Sequence, residues 1–214
     1  MLPNDVIMYV ENLIPESPQF VKEIEKYAQE HEVPIMEKIG IEVLLLLLSM
    51  QKPTKIFEIG TAIGYSAIRM ALQLPQTQII SVEMDEERFE VAQQNIKHLG
   101  LENRIITYLG DALTLADEIE KHGPFDAMFI DATKAKYKKF YDLYEPMLSK
   151  TGMIYTDNVL FKGTVARDRT ELSTRRQRTL VRKLDEYNKM LSTLEGYETT
   201  FIPVGDGIAV TRRK

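Results

Sequence analysis

Lys55-Ile56-Phe57-Glu58-Ile59-Gly60-Thr61-Ala62-Ile63-Gly64-Tyr65-Ser66 is the stretch whose reading decides the fold. The apolar run 55–59 breaks at a turn with small residues at 60, 62 and 64, and an amphipathic segment, Tyr65–Leu74, follows. The pattern predicts a strand, a tight turn and a helix. Downstream the alternation repeats. Strands are predicted at Gln78–Glu83, Arg104–Leu109, Ala127–Ala132 and Met153–Thr156, and helices at Glu86–Leu99, Ala112–Lys121, Lys136–Leu148 and Thr174–Leu191. Strands separated by helices imply parallel pairing with right-handed crossovers. Near-continuous apolar strands such as AMFIDA fit a sheet covered on both faces. The last two strands, Thr199–Pro203 and Ile208–Thr211, are joined only by Val204-Gly205-Asp206-Gly207, a hairpin signal. The expectation is an α/β fold with a seven-stranded, mostly parallel sheet closed by an antiparallel hairpin.

Upstream of Pro53 the periodicity is helical. NDVIMYVENLI, SPQFVKEIEKYAQEH and Met36–Met50 read as three helices, with Ser17 as N-cap and Pro18 in the first turn of the second. The whole chain of 214 residues is expected to be one domain, with residues 1–50 as a helical N-terminal extension. Hydrophobic residues make up 44% and charged residues 28%, which are globular proportions. Cysteine is absent, excluding thiol catalysis, disulfides and Cys-ligated metal, and fitting a reducing cytoplasm. No secretory signal precedes the first helix, and the longest apolar run, Val43 to Leu48, is far below the roughly 20 residues of a membrane span.

In an open α/β sheet, ligands bind at the carboxyl ends of strands. The small residues Gly60, Ala62 and Gly64 let a ligand approach the main chain and the helix start beyond. A dinucleotide fingerprint would need a small residue at 65, where Tyr65 stands, which argues against a pyrophosphate there. The second strand ends in Glu83, suited to accept from both hydroxyls of a ribose. The third ends at Gly110-Asp111-Ala112, where a side chain and backbone amides can read an adenine edge. Nucleoside recognition without a pyrophosphate site points to S-adenosylmethionine rather than NAD.

The fourth and fifth strands end in Asp131-Ala132-Thr133-Lys134 and Asp157-Asn158. If these strands are neighbours, Asp131, Asp157 and Asn158 present three oxygen ligands to one point, a set that suits Mg²⁺ better than zinc. The plainer reading is that the acids cap the segments that follow. Lys134 lies three residues past Asp131. A lysine beside a divalent cation gives up its proton more readily and can act as a base. Spacing alone favours a surface lysine, since Lys136, Lys138 and Lys139 follow. The histidines, His31, His98 and His122, stand at apparent helix ends. No Ser-His-Asp arrangement, Walker loop or zinc motif is present.

The net charge of −5 is uneven. Between Phe161 and Lys183 stand Lys162, Arg167, Arg169, Arg175, Arg176, Arg178, Arg182 and Lys183 against Asp168 and Glu171, a local excess of six positive charges on an acidic chain. Such a segment is either a solvated helix face or a surface for an anionic partner.

In this order, EIGTAIGYSA, SVEMD, GDA, FIDATKAKY, YTDNVLFKG and PVGDGIAV make the chain resemble the cation-dependent O-methyltransferases, the catechol-methyltransferase-like family, from about Pro34 to the C-terminus. The resemblance extends to a bacterial branch that methylates 5-hydroxyuridine at the tRNA wobble position to 5-methoxyuridine, through VPIMEKIGIEVLL, LYEPMLS and KLDEYN. It implies a Rossmann-like class I methyltransferase fold. It also implies roles. Glu58, Gly60, Ala62, Gly64 and Ser66 surround S-adenosylmethionine, Met36 closes over it, Glu83 holds its ribose, and Asp111 with Ala112 its adenine. Asp131, Asp157 and Asn158 hold Mg²⁺, Asp131 also lies against the cofactor, and Lys134 occupies the base position of an Asp-x-x-Lys-x-x-Tyr pattern ending at Tyr137. Where the pattern often has Gly at 62, this chain has Ala. A homodimer is the common assembly. Anticodon-loop RNA would engage Lys162, Arg167, Arg169, Arg175, Arg176 and Arg178. The alternatives are a small catechol or phenol as acceptor, with no use for the arginines, and a binding module that has lost the reaction.

Overall fold

Each expected strand forms, and all seven lie in one sheet. The structure is a computed structural model and describes residues 3–168 and 172–214. Helices α1 (Asn4–Leu13), α2 (Gln19–Glu30) and α3 (Lys38–Gln51) come first. Then follow β1 (Lys55–Ile59), α4 (Tyr65–Gln73), β2 (Gln78–Glu83), α5 (Glu86–His98), β3 (Ile105–Leu109), α6 (Ala116–Glu120), β4 (Phe125–Ile130) and α7 (Tyr137–Tyr144). The chain closes with β5 (Leu148–Thr156), α8 (Arg175–Thr193), β6 (Tyr197–Ile202) and β7 (Ile208–Arg213). The strand order is β3-β2-β1-β4-β5-β7-β6, with β1 to β5 parallel and β7 antiparallel to both its neighbours. The order therefore reverses between β1 and β4, and the ends of these two strands open a crevice.

The sheet is covered on both faces, as its apolar strands require. Along β4, Ala127 and Phe129 enter the core under α2, α3 and α4, while Met128 and Ile130 enter the core under α7 and α8. Among the described residues no helix is long and apolar enough to cross a membrane.

Several expectations are corrected, among them the helix expected to reach Leu148, which ends at Tyr144, and the strand expected from Met153, which begins at Leu148. Ser17 does not cap α2: Pro18 holds the cap position without a side-chain bond, and Ser17 Oγ donates to Glu25 instead. The expected helix Ala112–Lys121 shrinks to α6, because Leu113 N donates to Asp111 Oδ1 and Thr114 N to Asp111 O, closing an Asx turn that the helix cannot absorb. Strand β4 begins at Phe125, two residues early, across an irregularity in its pairing with β5.

At the opposite end of the sheet from the crevice, Asp126 ties three elements. Its carboxylate accepts from Thr54 N, Thr54 Oγ1, Lys55 N and Ser149 Oγ. Burial pushes this carboxyl up, but the hydrogen bonds outweigh it and hold the group below the usual range. A depressed carboxyl contributes stability above its unfolded pKa and loses it as pH falls through the folded one. Asp126→Ala is therefore expected to cost about 1–2 kcal/mol at pH 7, discounted for partial exposure. In urea titrations the gap from wild type should close below about pH 4. A gap that persists undiminished at pH 3 would contradict this account.

Candidate active site at the ends of β1 and β4

The crevice is a cavity of about 720 Å³. Gly60 and Ala62 line it from the β1 turn, Glu83 from β2, Gly110, Asp111 and Ala112 from β3, and Asp131 and Lys134 from β4. Asp157, Asn158, Lys162 and Asp206 complete one wall and Met36 and Glu37 another. All but three of the expected site residues are thus brought to one place, if the basic segment is set aside. The three are Glu58, Gly64 and Ser66, which do not line the cavity.

The β1 turn is shaped by backbone. Gly60 has φ +107°, and a Cβ there would stand 2.0 Å from the Asp131 carbonyl oxygen. Gly60 N and Thr61 N both donate to Val82 O, which ties the turn to β2. Beneath it Glu58 is fully buried and accepts from Ser66 Oγ and Ser81 Oγ, while Thr61 and Ser81 share a hydroxyl hydrogen bond. Burial pushes Glu58 up to about 7, against the two serine hydrogen bonds that lower it. Glu58 and Ser66 therefore brace the turn from behind.

Glu83 is held by three amides. Ala62 N donates to Oε2 at 2.7 Å, and Met84 N and Asp85 N donate to Oε1 at 2.9 Å each. The carboxylate is fixed and still borders the cavity. Asp111 accepts from Lys136 Nζ at 2.8 Å, and this pairing first, then the Leu113 amide, holds its carboxyl below the usual range. Lys136 is a partner that the sequence did not single out.

Adjacent parallel strands set the acids side by side. Ile130 pairs with Thr156, so Asp131 and Asp157 leave their strands together, and Asp157 N donates to Ile130 O. Asp157 is 4% exposed, whereas Asp131 is half-buried and borders the cavity. Both carboxyls are pushed up, by burial first; for Asp157 the Asp131 charge adds to it. Asn158 adopts φ +62° and donates from Nδ2 to Asp157 Oδ2 at 2.5 Å. Lys134 Nζ lies 5.7 Å above the Phe161 ring, and its charge bears on both acids. Among the described residues no three His, Cys, Asp or Glu side chains form a metal cluster, which leaves the donor set here at two carboxylates and an amide.

Asp206 escaped the sequence reading, where it counted only as a hairpin residue. The hairpin turn folds back on the segment after Asn158: Val159 N donates to Gly207 O, Leu160 N to Asp206 O and Lys162 N to Asp206 Oδ1. Its charge raises Asp131, Asp157 and Glu37. Only pairing across the sheet brings it there, so no local signal could have shown it.

Of the basic residues, Lys162 lines the cavity. Arg167, Arg175, Arg176 and Arg178 are exposed, and Arg169 lies outside the described residues. Arg178 Nη1 donates to Leu172 O, and Arg182 pairs with Glu186. Arg175 and Arg176 occupy the first turn of α8, which itself contains no acid, at the positive end of the helix dipole, where an anion rather than a cation is stabilised. The helix packs on the Lys134–Lys136 turn, whose lysines line the cavity, and on the Thr164–Ala166 turn.

A family profile described as O-methyltransferase matches residues 12–214, and the chain belongs to that family. The caffeoyl-CoA O-methyltransferase of Stellaria longipes is 30% identical over 209 residues, covering 94% of this chain and 86% of that protein. The flavonoid 3′,5′-methyltransferase of Vitis vinifera is 31% identical, covering 88% of this chain and 81% of its own. Among solved structures, a caffeoyl-CoA O-methyltransferase candidate from Staphylococcus aureus superposes with a TM-score of 0.89 at 31% identity, covering 98% of each chain. An O-methyltransferase from Bacillus cereus, solved in complex with SAH, has a TM-score of 0.85 at 24% identity and shares the fold.

Proposed function

We propose that this chain, in the cytoplasm, transfers the methyl group of S-adenosylmethionine to the 5-hydroxyl of 5-hydroxyuridine at the tRNA wobble position, with Mg²⁺ at Asp131, Asp157 and Asn158. The observation that carries the chemistry is the pair of carboxylates, one buried and one half-buried, at adjoining strand ends, lining a cavity that the amide-held Glu83 also lines. Two carboxylates placed together at the edge of a cavity favour a cation between them, and an all-oxygen donor set with room beside it fits a hard one. Gly60, where a Cβ would strike the Asp131 main chain, keeps the β1 turn close against β4 at the edge of the cavity.

When bound, the metal supplies Lewis acidity toward an acceptor oxygen and the cofactor an electrophilic methyl. The rest falls to the chain. Glu83, immobilised by three amides, keeps lone pairs for ribose hydroxyls. Asp111 and Ala112 face the adenine, and Met36 covers the cofactor. Glu58 and Ser66 act from behind the turn. Lys134 takes the acceptor proton at Nζ. Holding acceptor and methyl donor in one cavity supplies most of the remaining acceleration. The 5-hydroxyl and 4-carbonyl of 5-hydroxyuridine are adjacent oxygens, as in a catechol, so one centre suits either.

The RNA assignment is supported by Arg175 and Arg176 at the unbalanced start of α8. A small phenolic acceptor is the second reading, favoured by the caffeoyl-CoA and flavonoid enzymes among the relatives. The homodimer implied by the motifs would give exposed Leu46 and Met50 of α3 and Leu72 of α4 a cover.

The deciding experiment offers labelled S-adenosylmethionine and Mg²⁺ with either tRNA bearing 5-hydroxyuridine or a catechol, with and without chelator. Chelator-sensitive label in tRNA is expected. In the double variant Arg175→Glu, Arg176→Glu, kcat/KM for tRNA should fall about 10-fold or more at low salt, with a shallower salt dependence and unchanged turnover of any catechol. Label in catechol alone would overturn the tRNA reading and leave the O-methyltransferase chemistry standing.

A further inference from the structure

One helix grips the proposed metal-binding strand end on both sides. From the buried face of α8, the Tyr187 hydroxyl shares a hydrogen bond of 2.9 Å with Thr156 Oγ1, and Asn188 Nδ2 donates to Val159 O at 2.8 Å. Thr156 immediately precedes Asp157, and Val159 immediately follows Asn158. Two adjacent residues of α8 therefore bracket the two candidate ligands. Tyr137 adds a third hold: its hydroxyl donates to Asp157 O at 3.0 Å, and its ring meets Tyr187 edge-on at 5.6 Å.

Packing alone does not account for Asn188. Its neighbours on that face, Val181, Leu184, Tyr187 and Leu191, are apolar or aromatic. Its Oδ1 is buried without a hydrogen-bond partner among the described residues. A leucine there would avoid that desolvation cost. What the amide supplies in return is the single bond from Nδ2 to Val159 O, and that bond holds the segment beyond Asn158, whose left-handed backbone needs support from its surroundings.

We propose that Asn188 and Tyr187 are positioning residues that fix the Asp157–Asn158 strand end for a divalent cation. The inference rests on the metal reading above. It also makes α8 one rigid element with two duties, since the same helix begins with Arg175 and Arg176.

The test uses the full chain with Mn²⁺ as the probe, its binding followed by electron paramagnetic resonance, and S-adenosylhomocysteine binding followed by calorimetry in parallel. Asn188→Leu is expected to weaken Mn²⁺ binding about 10-fold or more, the range seen when outer partners of metal ligands are removed. S-adenosylhomocysteine affinity and the thermal midpoint should stay at wild-type values, because the substitution also removes the orphaned oxygen. Activity lost at low Mg²⁺ should return at saturating Mg²⁺. Tyr187→Phe, which removes one oxygen and little volume, should move Mn²⁺ affinity in the same direction and gives the answer if Asn188→Leu does not fold. Unchanged Mn²⁺ affinity in both variants overturns the proposal. So does a parallel loss of Mn²⁺ binding, S-adenosylhomocysteine binding and thermal midpoint, which marks a merely structural contact. If the wild-type chain binds no Mn²⁺, the metal reading falls and this inference with it; if wild type binds and the variants bind equally, the inference falls alone.

Discussion

Asp131→Ala is expected to lower methyl transfer by about 10³-fold or more while leaving the metal-free protein at least as stable as wild type. The two effects have opposite signs because one carboxylate answers to both. Asp131 and Asp157 leave neighbouring strands together, and each is destabilised as an anion by enclosure. Without a cation, removing one charge relieves the other, since Asp131 is among the causes that raise Asp157. With a cation, the same removal takes a ligand from a donor set of only two carboxylates and an amide, and leaves an incomplete centre. Function and stability commonly conflict at such places. The measurement is a pair: turnover with labelled S-adenosylmethionine, and thermal unfolding at pH 8 with and without Mg²⁺. Mg²⁺ should raise the wild-type midpoint and leave the variant's in place. Wild-type turnover by Asp131→Ala would sink the metal assignment, and a strongly lowered metal-free midpoint would show that Asp131 is a structural acid.

How much of this was legible beforehand follows from how local each signal is. Strands β1 and β2 were bounded correctly, because each is an apolar run cut off by turn residues and both faces of the sheet are covered. Glu83, Asp131 and Asp157 were legible for the same reason: each stands at a strand's carboxyl end, and parallel pairing puts such ends on one edge. Where a local bond competes, the pattern misled. Asp111 closes a turn on Leu113 and Thr114 and so delays α6, and Ser17 turned to Glu25 instead of capping α2. Where the contact is distant in sequence, nothing was legible. Asp206 reaches the site only because β7 pairs antiparallel with β5, and Asn188 reaches Val159 across 29 positions of sequence. Glu58 shows the intermediate case. Its place at the end of β1 suggested a cofactor contact, yet the alternation of β1 turns its side chain beneath the turn, onto Ser66 and Ser81.

Gly60→Ala is expected to weaken S-adenosylhomocysteine binding by roughly 100-fold, about 2.7 kcal/mol, and to lower the thermal midpoint as well. Two costs coincide at this position. The backbone has φ +107°, a region that residues with a Cβ rarely adopt, and the added Cβ would stand 2.0 Å from the Asp131 carbonyl oxygen and 2.8 Å from its carbon. Both atoms are main chain, so no rotamer change relieves the collision. The ends of β1 and β4 must part, against the bond from Asp131 N to Ile59 O that joins them. That movement displaces the β1 turn and Asp131 together, so cofactor and metal binding should fail in one variant. Ala62→Gly is the control. Ala62 also has positive φ, +45°, but there glycine removes strain instead of adding it. Its amide bond to Glu83 survives the change, so affinity should remain within about threefold of wild type, and in stability the small strain relief is offset by the entropy of the unfolded glycine. Equal affinities in Gly60→Ala and wild type would show that the strand ends part without consequence, and that the crevice at the switch point does not hold the cofactor.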